Sequence, residues 1–321
     1  MAERIGVIGA GAFGTALAVA QAAAGREVAL WARDASVVAA MVETRENAGR
    51  LPGVTLPEGV APTAEFDRAA TGIVLLAVPT QSLRSVLEAQ APLLAGRVLV
   101  ACCKGVELGT GLLPSEVIAD VVPEARAAVL TGPSFAADIA VGKPTALTLA
   151  ASAPGAEELQ EALSTRSLRL YLSDDLIGAQ LGAALKNVIA IAAGVTVGAG
   201  LGESARAALM TRGFAEMTRH AEARGAASET LHGLSGLGDL VLTCTSEKSR
   251  NYRHGMALGA GTPPHAGTTV EGVATARALA SAEPGDALPV TSMVAALLAG
   301  EVTLEAAVEL LLSRPLKRER E

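Results

Sequence analysis

The chain has 321 residues, half of them hydrophobic, with 34 glycines, 2% aromatic residues and a formal charge of −7. This length exceeds one small core and suits two domains, with alanine and leucine as the main packing material. The acidic balance leaves no cationic excess to neutralise phosphates, which excludes a general nucleic-acid binder.

In chain order, "RIGVIGA" (4–10) predicts a first strand, Phe13 to Ala24 a crossover helix, Gly25 its stop, and "EVALWA" (27–32) a second strand. Apolar runs at 72–79, 97–103, 127–132, 145–150 and 168–172 predict further strands, and helical spacing fills 82–96 and 112–122. Such alternation reads as βαβ units in a mostly parallel sheet buried on both faces. After Asp175 helical patterns take over, at 176–199, 203–224, 251–258 and 294–312, separated by glycine-rich loops. The expected organisation is α/β: a Rossmann-like dinucleotide-binding domain at 1–178 and an all-helical substrate and catalytic domain at 179–321. The amino-terminal stretch mimics a signal peptide, but glycines at 6, 9, 11 and 14 suit a strand–turn–helix instead. No stretch of about 20 uncharged apolar residues has suitable flanks, so no integral membrane segment is expected. The final "RPLKRERE" is expected to be a solvated tail. Cys102, Cys103 and Cys244, with four histidines, show neither zinc spacing nor an H-E-x-x-H pattern. A reducing cytoplasm and no protein-built metal site are therefore expected.

"IGVIGAGAFGTALA" places Gly9, Gly11 and Gly14 in G-x-G-x-x-G spacing between the first strand and its helix. Gly9 permits the turn, Gly11 lets backbone approach a pyrophosphate, Gly14 allows close helix–strand packing, and the helix N-terminus favours the anion. At the end of the second strand, "LWARD" puts Ala32 at the position where an acidic residue would select NAD(H), which leaves Arg33 free to face a 2′-phosphate. NADP(H) is therefore expected to bind at least as well as NAD(H). A solvated surface arginine is the other reading of Arg33, and Asp34 is a helix N-cap.

"GAALKNVIAIAAG" sets Lys186 in the middle of a nearly apolar helix, where a charge is costly unless paired or deprotonated. A buried amine near other cations is suited to act as a general base, although a structural amine would also fit the pattern. In "GLSGLGDLVLTCTSEKSRN", Asp239 could fix that lysine or cap a helix, and Ser249, Arg250 and Asn251 open a helix as a phosphate site would. Lys104 in "ACCKG", and Gly132 and Ser134 in "LTGPSFA", follow strands at the end where parallel sheets bind ligands.

Taken together, "IGAGAFGTALA", "LWARD", "VPTQSLRSVL", "CCKGVE", "TGPSFA", "GAALKNVIAIAAG", "GLGDLVLTCTSEKSRN" and "VEG" resemble the bacterial-type NAD(P)-dependent sn-glycerol-3-phosphate dehydrogenases over nearly the whole chain. The resemblance implies a helical domain similar to that of 6-phosphogluconate dehydrogenase. It also implies reversible reduction of dihydroxyacetone phosphate, feeding phospholipid synthesis. It assigns Lys186 as proton acceptor, and Lys104, Gly132, Ser134, Asp239, Ser249, Arg250 and Asn251 as substrate contacts. Phe13, Arg33, Lys104, Ala136, Arg250 and Glu271 become cofactor contacts. Cys103 departs from the family's commoner threonine before that lysine. A β-hydroxy-acid dehydrogenase of similar architecture is the nearest alternative, and a redox-sensing NAD(P)-binding module without turnover is a second. Apolar faces of the helical domain could form a homodimer.

Overall fold

Short aliphatic runs form one eight-stranded sheet in the computed structural model, which describes residues 4–152, 154–263, 269–282 and 287–312. The strands are β1 (Ile5–Ile8), β2 (Val28–Trp31), β3 (Val60–Thr63), β4 (Ile73–Leu76), β5 (Val98–Ala101), β6 (Arg126–Thr131), β7 (Thr145–Ala151) and β8 (Leu168–Ser173). Their order is β3-β2-β1-β4-β5-β6-β7-β8, parallel throughout except where β6 meets β7. Helices α1 (Ala12–Ala23), α2 (Ala35–Thr44), α3 (Phe66–Ala69), α4 (Thr80–Leu94), α5 (Pro114–Val121), α6 (Ala136–Ala140) and α7 (Ala156–Leu163) fill the connections.

Alternation divides the inner strands between two cores, as expected for a sheet covered on both faces, whereas the edge strands β3 and β8 feed one core only. On β4, Ile73 and Leu75 enter one core while Val74 and Leu76 enter the other. The mostly parallel α/β architecture is thus the one the hydrophobic pattern predicts. The pattern does not predict β3, whose "VAPT" contains Pro62; the strand is tolerated because it lies at the sheet edge, where a missing N–H breaks no ladder.

The helical part comprises α8 (Leu176–Gly198), α9 (Glu203–Ala223), α10 (Ser228–His232), a π-helical turn at Leu234–Gly238, α11 (Asp239–Cys244), α12 (Arg250–Gly259), α13 (Glu271–Ala282), α14 (Pro289–Ala299) and α15 (Leu304–Leu312). The single helix predicted over 294–312 is two, α14 and α15, because Gly300 ends α14 in the left-handed conformation with φ 72°. The terminal run 314–321 lies outside the described residues.

α8 is the central element. By length and hydropathy it could cross a membrane, but 89% of its most apolar window is buried within the protein, as in a core helix. The reversal between β6 and β7 sets its course. β8 runs antiparallel to β6, so α8 starts from the opposite sheet edge and travels back beside β6. Ala179, early in the helix, still belongs to a sheet core. A rise of about 15 Å from Leu176 to Lys186 carries the lysine to the edge where β5 and β6 end.

α8 and α12 touch backbone to backbone. A Cβ on Gly194 would lie 2.1 Å from the Tyr252 carbonyl oxygen, and one on Gly255 would lie 2.0 Å from that of Ile191. Only glycine at both places lets the start of α12 approach the middle of α8 this closely.

Candidate active site

The turn from β1 into α1 leaves an anion-sized opening. Gly9 takes φ 111°, and Gly11 is the N-cap with no side chain to satisfy the first N–H groups of α1. A Cβ on Gly11 would meet nothing within 4 Å, whereas one on Gly14 would lie 2.1 Å from the Gly9 carbonyl oxygen. Gly14 therefore serves packing and Gly11 faces open space. With no acidic residue in the first turn of α1, free donors and a positive dipole end suit a dinucleotide pyrophosphate. Phe13 and Ala136 share a small apolar cluster with Ile139 and Leu51, so two of the sequence-predicted cofactor positions meet. Arg33 is exposed just beyond β2, and Asp34 caps α2 by accepting the Ser36 N–H at 2.8 Å.

Three charged side chains converge where the sheet and helical parts meet. Lys186 Nζ donates to Asp239 Oδ1 at 3.1 Å and to Thr243 Oγ1 at 2.7 Å. Lys104 Nζ donates to Asp239 Oδ2 at 2.6 Å and to the Gly132 carbonyl at 3.1 Å. Asp239 is 1% exposed and Lys186 5%. Both lysines thus share one buried carboxylate, and the group keeps a net positive charge suited to a developing oxyanion.

Burial pushes the Asp239 carboxyl up, but the two ammonium groups outweigh it and hold the carboxyl below the usual aspartate range. Burial also lowers Lys186; Asp239 opposes that shift and Lys104 adds to it, leaving Lys186 at about 8. The helix-cap alternative for Asp239 does not hold. Gly238 occupies the N-cap of α11, and the Asp239 side chain is engaged by the lysines. Sequence reasoning missed Thr243, which accepts from Lys186; its signal is the four-residue spacing that stacks it over Asp239 on α11.

The start of α12 is built differently from a row of free phosphate donors. The Ser249 hydroxyl caps the helix by accepting the Tyr252 N–H at 3.2 Å, and Arg250 is exposed. Asn251 is a tie: its Nδ2 donates to Asn187 Oδ1 at 2.8 Å, and its Oδ1 accepts the Gly272 N–H at 3.0 Å. It joins α12 to α8 and α13. Ser134 turns its hydroxyl to the Gly132 carbonyl at 3.3 Å. Glu271, partly buried at the start of α13, is pushed up by burial against the opposing fields of Arg250, Lys104 and Lys186.

The three cysteines are free and buried, and burial pushes the Cys103 thiol up to about 12. Among the described residues no group of His, Cys, Asp and Glu side chains is placed to hold a metal ion.

Two family models cover most of the chain. "NAD-dependent glycerol-3-phosphate dehydrogenase N-terminus" matches residues 4–157, and the corresponding C-terminus model matches 175–309. Among curated proteins, the glycerol-3-phosphate dehydrogenase [NAD(P)+] of Cereibacter sphaeroides is 59% identical, covering 98% of this chain and all of its own length. That of Roseobacter denitrificans is 56% identical over 98% of this chain and 99% of its own. Among solved structures, a glycerol-3-phosphate dehydrogenase from Coxiella burnetii superposes with a TM-score of 0.92 at 36% identity, covering 97% of this chain and 99% of that one. Sequence and fold agree over both halves, and the chain belongs to the NAD-dependent glycerol-3-phosphate dehydrogenase family.

Proposed function

We propose that this protein catalyses the reversible NAD(P)H-dependent reduction of dihydroxyacetone phosphate to sn-glycerol 3-phosphate, supplying glycerophospholipid synthesis. The observation that carries the reading is the buried Lys186–Asp239–Lys104 group in a chain of this family. When bound, the reduced nicotinamide supplies the hydride. Lys186, as the ammonium, donates a proton to the substrate carbonyl oxygen as negative charge grows there, and Lys104 strengthens the positive field. In the oxidative direction neutral Lys186 accepts the hydroxyl proton. Asp239 holds both lysines in register, and Thr243 fixes the Lys186 ammonium from the other side.

Arg250 and the first N–H groups of α12 are assigned to the substrate phosphate, with Ser249 organising that helix start and Asn251 tying it to α8. Gly132 and Ser134 line the substrate side of β6. Gly9, Gly11 and Gly14 receive the pyrophosphate, while Phe13, Arg33, Ala136 and Glu271 complete the cofactor site. Arg33 is assigned to the 2′-phosphate of NADP(H). We assign residues 1–178 to the dinucleotide and 179–321 to substrate and catalysis, in a cytoplasmic homodimer. Leu201, Leu237 and Val241 are exposed apolar side chains on the helical part where such pairing would occur.

NADPH oxidation with dihydroxyacetone phosphate, run beside a panel of β-keto acids, tests the reading. Turnover is expected with the phosphorylated ketone only. Turnover of a β-keto acid without phosphate would move the protein to the β-hydroxy-acid dehydrogenases.

A further inference from the structure

Lys104 is the third residue of a loop, 102–113, that leaves the end of β5 without regular structure of its own. A lysine on such a loop has a long stem and many rotamers, yet its ammonium reaches across to Asp239 at 2.6 Å. Something must hold the loop. The holding groups come from the first turns of α4. Gln81 reaches the loop with both ends of its amide: Nε2 donates to the Val106 carbonyl at 2.7 Å, and Oε1 accepts the Leu108 N–H at 3.0 Å. It pairs with the loop as a neighbouring strand would.

Arg84, one turn later, lays its guanidinium on Glu107. Nε donates to Oε1 at 3.0 Å and Nη2 to Oε2 at 3.0 Å, while Nη1 reaches Asp120 Oδ2 at 2.6 Å. Thr110 donates to the same carboxylate. The Glu107 side chain is only 10% exposed, so this is a forked, nearly enclosed pair rather than a solvated surface contact. Gly105 sits between them and Lys104 in a tight space: a Cβ there would lie 3.1 Å from the Thr80 hydroxyl and 3.2 Å from that of Thr275, so both would have to give by a few tenths of an ångström. Val106 is buried in the core of the helical part. The chain just after Lys104 is therefore fixed from α4 on one side and from the helical core on the other.

We propose that Gln81, Arg84 and Glu107 form a positioning clasp that holds the Lys104 ammonium against Asp239 during proton transfer. The proposal rests on the reading of Lys104, Asp239 and Lys186 as the proton-transfer site. None of the three clasp residues is assigned contact with substrate or cofactor. They act through the path of the loop, and an error of about 1 Å at a reacting group can lower a rate about 100-fold.

The test uses kcat for glycerol 3-phosphate oxidation against pH, at saturating NADP+ and substrate, together with NADPH Kd and Tm. The groups that set the Lys186 proton are Asp239 and the Cys244 thiol on α11, Lys104 from the clasped loop, and Glu271 on α13. Lys104 pushes the Lys186 proton off; a displaced Lys104 gives up that push and leaves Asp239 to Lys186 alone. Both changes shift the ascending limb of the profile to higher pH. Glu107→Gln keeps the volume and removes the charge that orients Arg84. It is expected to lower kcat about tenfold and move the limb up by about half a unit or more, with NADPH Kd within about twofold of wild type. Arg84→Lys keeps the charge without the fork and is expected to fall between the two. A lower Tm with an unmoved limb in both variants would overturn the clasp, provided Lys104→Ala does move it. An unmoved limb in Lys104→Ala as well would overturn the proton-site reading and the clasp with it.

Discussion

In the proposed mechanism Lys186 gives up a proton in one direction of the reaction and holds it in the other, which requires an affinity near working pH. Burial weakens the ammonium, the Asp239 carboxylate restores part of that loss, and Lys104 takes some away again, leaving the group at about 8. The sign of the pH dependence follows from the direction of transfer. Oxidation of glycerol 3-phosphate needs neutral Lys186, so its kcat should rise as pH passes upward through about 8. Reduction of dihydroxyacetone phosphate needs the ammonium and should fall over the same interval. Lys186→Arg, which remains protonated, should lose about 100- to 10,000-fold in kcat and abolish the ascending limb of oxidation. A variant that keeps that limb would remove Lys186 from the proton path. Burial of this lysine is legible from the sequence because the residues around it, Asn187 apart, are apolar, and its carboxylate partner is the one acid in an apolar glycine-flanked segment. Thr243 is less legible: a threonine in "DLVLTCTS" has ordinary helical company, and its four-residue spacing from Asp239 becomes a signal only once Asp239 is taken as the lysine's partner.

The helical elements set where these side chains meet. α8 carries Lys186, α12 carries Ser249 and Arg250 at its start, and the glycine seam between them fixes the separation. Gly255→Ala places a methyl 2.0 Å from the Ile191 carbonyl oxygen, which no side-chain rotation can relieve. The helices must part, with an expected loss of about 1–3 kcal/mol or more in denaturant unfolding. Arg250 would move away from Lys186, so KM for dihydroxyacetone phosphate should rise while NADPH Kd stays near its wild-type value. An unchanged KM in a folded variant would mean that the seam serves stability alone. Long elements such as α8 and α9 are legible because runs of that length exceed any ordinary strand. Short ones escape it. β3 has four residues and a proline, and α7, with buried Leu159 and Leu163 on one side, has too few turns to stand out. The antiparallel β6–β7 step is also invisible in hydrophobic patterning, since a strand buried on both faces looks alike in either direction.

At the scale of the molecule, the sheet and helical parts do not own separate interiors. Leu176 and Ala179 of α8 pack into a sheet core, while Val106 and Leu113 from the sheet part lie in the core of the helical part. The Lys104–Asp239 pair, nearly closed to water, joins the same two parts at the site. The regions matched by the two family models should therefore unfold as one cooperative body, since unfolding either part strips apolar surface and an ion-pair partner from the other. Scanning calorimetry should give a single transition, with a van't Hoff enthalpy equal to the calorimetric value once subunit number is included. NADPH at about 100 times its Kd should raise the whole transition, adding about 2.7 kcal/mol. For the homodimer proposed above, the midpoint should also rise with protein concentration, because dissociation accompanies unfolding. Two resolved transitions, with NADPH moving only one of them, would show that the shared cores do not couple the sheet to the helices. Lys104→Met should then separate the cases further. If the ion pair is a main tie, that variant splits the transition; if the interlocked cores carry the coupling, it lowers the midpoint and leaves one peak. The extent of Val106, Leu113 and Ala179 burial, each at 1% or less, favours the single peak.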